Sequence, residues 1–66
     1  MQITYRGEPA ECREGESAGG FLAAKGVDAK KCVVELDGEI LPPGAADGAA
    51  LREGSKLDAF QIVPGG

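Results

Sequence analysis

At 66 residues the chain makes one domain and buries only about 60% of its unfolded surface, too little to wall off a deep substrate cavity as well as hold a core. The formal net charge is −4, and the 7 basic residues are dispersed, with only Lys30 and Lys31 adjacent; this excludes the clustered cationic face that nucleic acid requires and suits docking on a basic patch of another protein. With no His and only Cys12 and Cys32, which form no CxxC, the chain lacks a general base, a zinc ligand set and the thiol density of a secreted disulfide scaffold.

The N-terminal Met-Gln-Ile-Thr-Tyr-Arg has no long apolar run, so neither a signal peptide nor a membrane span is expected. A reduced, cytoplasmic, metal-free protein with free thiols is the simplest expectation. Met1, Ile3 and Tyr5 alternate with Gln2, Thr4 and Arg6, the period of a strand with one wet face. Gly7-Glu8-Pro9 signals a turn, and Ala10 to Arg13 returns as the second arm. Ser17 offers a helix N-cap, with Glu14 and Glu16 near the positive end of the helix dipole. The helix, roughly Ser17 to Lys25, is weakened by Gly19 and Gly20 and must be held by packing of Ala18, Phe21, Leu22 and the stem of Lys25. The two glycines permit close approach to a sheet, and Gly26 stops the helix.

Lys30 and Lys31 read as solvation of a loop. Cys32 to Leu36 is a strand, Asp37-Gly38 the strongest hairpin dipeptide of the chain, and Glu39-Ile40-Leu41 a short return ended by Pro42-Pro43. Gly44 to Ala50 forms a loop or a short helical turn pinned by Leu51. After a turn at Glu53-Gly54-Ser55, Lys56 to Val63 is the last strand. This order predicts an α+β domain over residues 1–63, a mixed four- to five-stranded sheet with one main helix packed on one face. With the first and last strands paired centrally it is the β-grasp arrangement. Residues 64–66 then form a flexible C-terminal tail.

Two features of the last strand and tail bear on function. Leu57 and Ala59 share one face, while Asp58, Phe60 and Ile62 share the other. Asp58 marks that second face as the wet one, so Phe60 and Ile62 make a partner-docking patch, unless the strand twists and tucks Phe60 under a loop. Gly65-Gly66 is the thinnest possible peptide. It can thread a narrow channel and present the Gly66 carboxylate to ATP, with Pro64 stiffening its root. Joined to AMP, that carboxylate becomes an acyl donor that sulfide or a persulfide converts to a thiocarboxylate.

The stretch Leu51-Arg52-Glu53-Gly54-Ser55-Lys56-Leu57, followed by Phe60-Gln61-Ile62-Val63-Pro64-Gly65-Gly66, resembles the C-terminal region of the thiamine-biosynthesis sulfur carriers. Val34 to Pro42 resembles their central strand, turn and following strand, and Met1-Gln2-Ile3 their opening hairpin. Asp37 stands where these carriers commonly have Asn, and Ser55 where they commonly have Asp. The resemblance implies a ubiquitin-like fold and a protein co-substrate rather than an enzyme, with no catalytic residues and no bound cofactor. Its implied partners are a ubiquitin-activating-type adenylating enzyme that uses ATP and Mg, a persulfide or sulfide donor, and a thiazole synthase or analogous sulfur acceptor. The free chain is expected to be a monomer. Carriers for molybdopterin or for cysteine and homocysteine synthesis, and ubiquitin-like modifiers joined to lysines through Gly66, are alternatives of the same chemistry. A non-covalent binding module with an incidental tail is a further one.

Overall fold

The computed structural model describes residues 1–61. Five strands form a single sheet in the order β2-β1-β5-β3-β4. They are β1 (Gln2–Tyr5), β2 (Glu8–Glu11), β3 (Cys32–Leu36), β4 (Glu39–Ile40) and β5 (Lys56–Gln61). One helix, α1 (Ala18–Ala24), crosses one face. The first and last strands run parallel at the centre, Thr4 opposite Lys56 and Tyr5 opposite Leu57, and the other pairs are antiparallel. This is the expected β-grasp arrangement.

Both hairpins close through two-residue loops. Tyr5 faces Glu8 across Arg6-Gly7, and Leu36 faces Glu39 across Asp37-Gly38. All four loop residues have positive φ, from 52° at Asp37 to 87° at Gly38, the type I′ geometry whose twist matches the strands. The second loop is as expected. The first sits earlier than Gly7-Glu8-Pro9: Pro9 lies inside β2, opposite Thr4. Proline is tolerated there because β2 is an edge strand and its missing N–H interrupts no ladder.

Ser17 caps α1, its Oγ accepting from the Gly20 amide at 2.9 Å. Glu14 and Glu16 precede the cap, so the first turn contains no acid. At the other end Gly26, at φ +79°, donates to Ala23 O while Val27 donates to Leu22 O, the Schellman pattern. Ala18, Gly19, Phe21 and Leu22 are buried. Lys25 is exposed; its Nζ lies 5.4 Å from the centroid of the Phe21 ring, a cation–π contact rather than a stem tucked beneath the helix.

The core joins Ile3, Val34, Leu57 and Ala59 of the sheet to Ala18, Phe21 and Leu22 of the helix, with Ala46 and Leu51 closing the end. Tyr5 meets Phe21 edge to face at 5.3 Å. Leu51 pins the 44–50 segment, as expected, and that segment contains a 3-10 turn at Ala46–Gly48. Gly19 approaches this turn rather than the sheet: a Cβ there would collide with Asp47 Oδ1 and lie 3.0 Å from the Asp47 nitrogen. A second 3-10 turn, Ala29–Lys31, leads into β3, capped by the Asp28 carboxylate accepting from the Lys30 amide. It carries no periodic signal along the chain, because three residues are too few to show one.

No helix among the described residues is long and apolar enough to cross a membrane. Cys12, just past the end of β2, and Cys32, the first residue of β3, are free thiols, and β1 and β5 lie between those two strands. Among the described residues no group of three or more His, Cys, Asp or Glu could hold a metal ion.

Candidate functional site

β5 occupies the middle of the sheet, and its alternation sorts its side chains. Leu57 and Ala59 are buried under α1, Asp58 is half-buried and Phe60 is 54% exposed. Strand twist does not tuck Phe60 under a loop. Ile62, the third residue named for docking, and Pro64, Gly65 and Gly66 lie outside the described residues, as does the expected end of the strand at Val63.

Cross-strand partners share a face, so the register extends the patch. Phe60 faces Val33, Asp58 faces Glu35, and Glu35 in turn faces Ile40 of β4. Val33 is half-buried and Ile40 is 67% exposed. The sheet face opposite the helix thus pairs an apolar rung, Val33–Phe60, with an acidic one, Glu35–Asp58, and carries a second exposed apolar residue beyond. Two carboxylates directly opposite each other are unfavourable in the free protein, an arrangement that a cation from a partner would relieve. Neither Val33 nor Ile40 stands out in the sequence. The alternation around Val34 places Val33 outside once Val34 is known to be core, but a two-residue strand such as Glu39–Ile40 has no period to read.

The turns that carry β5 into the sheet are well bonded. Asp37 Oδ1 accepts from the Lys56 amide at 2.8 Å and Ser55 Oγ accepts from the Arg52 amide at 2.9 Å. Ser55 is buried. The Asp and Ser at these two positions therefore serve the turn as hydrogen-bond acceptors, the role that Asn and Asp side chains also fill.

The Cys12 thiol is not set up as a nucleophile. Partial burial pushes the Cys12 thiol up from its ordinary value; the N-terminal ammonium opposes this and the carboxylates of Glu16, Glu53 and Glu11 add to it. A thiol held protonated is a poor nucleophile. What the described residues offer is an exposed sheet face, part apolar and part acidic, carried on the central strand β5.

Comparison with known proteins agrees with this arrangement. The ThiS family model matches residues 3–66. The crystal structure of a thiamine biosynthesis protein (ThiS) from Geobacter metallireducens is similar at a TM-score of 0.83 and 29% identity, over 100% of each chain. A solution NMR structure of a thiamine biosynthesis protein from the same organism gives 0.77 and 29%, over 100% of this chain and 88% of that one. No curated protein matches the sequence. With the β-grasp sheet, the exposed Phe60 strand and a family match running through residue 66 in place, the chain belongs to the ThiS family of sulfur carriers.

Proposed function

We propose that this chain carries sulfur for thiamine biosynthesis, and that its working group is the carboxylate of Gly66. The observation that supports this best is the family match through residue 66, which puts Gly65 and Gly66 inside the pattern that relates the sulfur carriers. Residues 64–66 serve as the tail. Pro64 stiffens its root, Gly65 provides clearance, and Gly66 is the group that reacts.

The chemistry needs a partner, because a carboxylate is a poor acyl donor. A ubiquitin-activating-type enzyme, using ATP and Mg, joins the Gly66 carboxylate to AMP and releases pyrophosphate. Sulfide then attacks the acyl carbon and AMP leaves, so that one carboxylate oxygen departs with AMP and sulfur takes its place. A persulfide donor gives an acyl persulfide first, which a second thiol cleaves. The thiocarboxylate passes its sulfur to a thiazole synthase. Phe60, Ile62 and Asp58 dock the carrier on these enzymes, and the protein works in the cytoplasm as a co-substrate.

Intact-mass measurement of the protein from its native host, purified without reductant, tests this. A species heavier by one oxygen-to-sulfur exchange, absent when Gly65 and Gly66 are deleted, is expected. If the protein stays unmodified even with ATP, Mg, sulfide and the adenylating enzyme, the carrier reading is wrong.

A further inference from the structure

β5 outruns its neighbour. The parallel ladder to β1 stops at Tyr5–Leu57, while β5 continues to Gln61. Beside this overhang lies a hollow of about 470 Å³ whose lining includes Arg6, Lys31, Asp28, Cys32, Phe60 and Gln61. Arg6 and Lys31 are exposed, and the Asp28 carboxylate is engaged by the Lys30 amide at 3.0 Å. A protein of net charge −4 thus presents two cations around an exposed aromatic ring, at the end of the strand that leads into residues 62–66.

The backbone at Arg6 makes this more than a scatter of charge. Arg6 and Asp37 occupy the same position in two equivalent hairpin loops, at φ 53° and 52°. That position favours Asn, Asp or Gly. The Asp37 loop obeys the preference and uses the carboxylate to accept from the Lys56 amide. The Arg6 loop places a long cationic side chain in a conformation that disfavours it, at a cost to stability. Local folding alone does not call for an arginine there.

We infer that the hollow framed by Arg6, Lys31 and Phe60 receives an acidic loop of the adenylating partner, a carboxylate between the two cations and an apolar side chain against Phe60. This rests on the carrier function proposed above and names the chemistry of the surface that recognises the tail-bearing end. Charge placed there steers the carrier tail-first and should make encounter salt-dependent.

The test is adenylation of the whole chain by the adenylating enzyme of the same organism, followed as pyrophosphate release against carrier concentration at low and high salt. Four variants are compared with the wild type: Arg6→Asn with Lys31→Gln, Arg6→Asn alone, Arg6→Lys alone, and Arg52→Gln. Arg52 lies at the opposite end of the sheet, where the Gly54 amide bonds Gln2 O. The expected result is a roughly tenfold loss of kcat/KM in the double variant. That loss should lie in KM, shrink at high salt, and be absent from Arg6→Lys and Arg52→Gln. Arg6→Asn alone should also raise the thermal midpoint, which separates lost recognition from damaged folding. Wild-type kinetics and salt dependence in the double variant would overturn the inference and leave the carrier function standing. A loss in kcat with KM unchanged would also overturn it, by assigning the cations to the chemical step. Failure of the wild type to be adenylated at all would remove the carrier reading and this inference together.

Discussion

Gly19 shows how one residue can be wrong by propensity and right by packing. In an exposed helix, exchanging Gly for Ala is worth roughly 1 kcal/mol. Here the added methyl would meet Asp47 Oδ1, with the Asp47 nitrogen at 3.0 Å and the Ala46 carbonyl carbon at 3.1 Å. Backbone atoms cannot step aside cheaply, and overpacking of this kind costs about 1–3 kcal/mol. Urea unfolding of Gly19→Ala should therefore show a net loss of stability. A gain would mean that the 46–48 turn yields more easily than its packing suggests. Cys12 gives a second prediction at this scale. Its thiol is raised by burial, so at pH near 9 the folded protein holds that proton more tightly than the unfolded chain. Iodoacetamide should label Cys12 more slowly in the native protein than in denaturant. The sign for stability follows: whatever Cys12 contributes is fully present below the ordinary thiol value and declines as pH rises through the higher folded value. Equal labelling rates in both states would contradict this.

The helix is the vulnerable element. Seven residues, two of them glycine, cannot sustain a helix by themselves; α1 exists because its ends are bonded and one face is buried. Removing the Ser17 hydroxyl leaves the Gly20 amide without its side-chain acceptor. Ser17→Ala should cost about 1 kcal/mol, measured as a lower denaturation midpoint with an unchanged slope. Much of this element was legible in advance: the cap at Ser17, the stop at Gly26 and the buried Ala18, Phe21 and Leu22 follow from residue type and spacing. What packs against Gly19 was not, since the 46–48 turn is distant in sequence and carries no pattern that aims it at the helix.

For the whole molecule, the proposed docking role divides β5 into a buried face that holds the fold and an exposed face that meets partners. Phe60 is 54% exposed and faces Val33 across the sheet, so Phe60→Ala should change the thermal midpoint little. Its effect belongs in association: a several-fold rise in the KM for adenylation, as expected when an exposed aromatic anchor is lost from an interface. An unchanged KM would place the docking surface elsewhere.

Read alone, the sequence determined those features that depend on neighbours along the chain. Alternation in Met1 to Arg6 and in Leu57 to Phe60 assigned faces; Asp37-Gly38 named a hairpin; the ordered motifs ending in Gly65-Gly66 pointed to the family. Tertiary structure alone decided what depends on residues far apart in the chain. The first turn moved to Arg6-Gly7 because strand register, not local turn preference, decides where a hairpin closes once Ile3 must face the core. The Val33–Phe60 and Glu35–Asp58 rungs exist only because β5 inserts between β1 and β3. The hollow beside Phe60 exists because β1 ends before β5 does. No spacing along the chain encodes which residues end up across a sheet, because that pairing is set by the burial of one shared face.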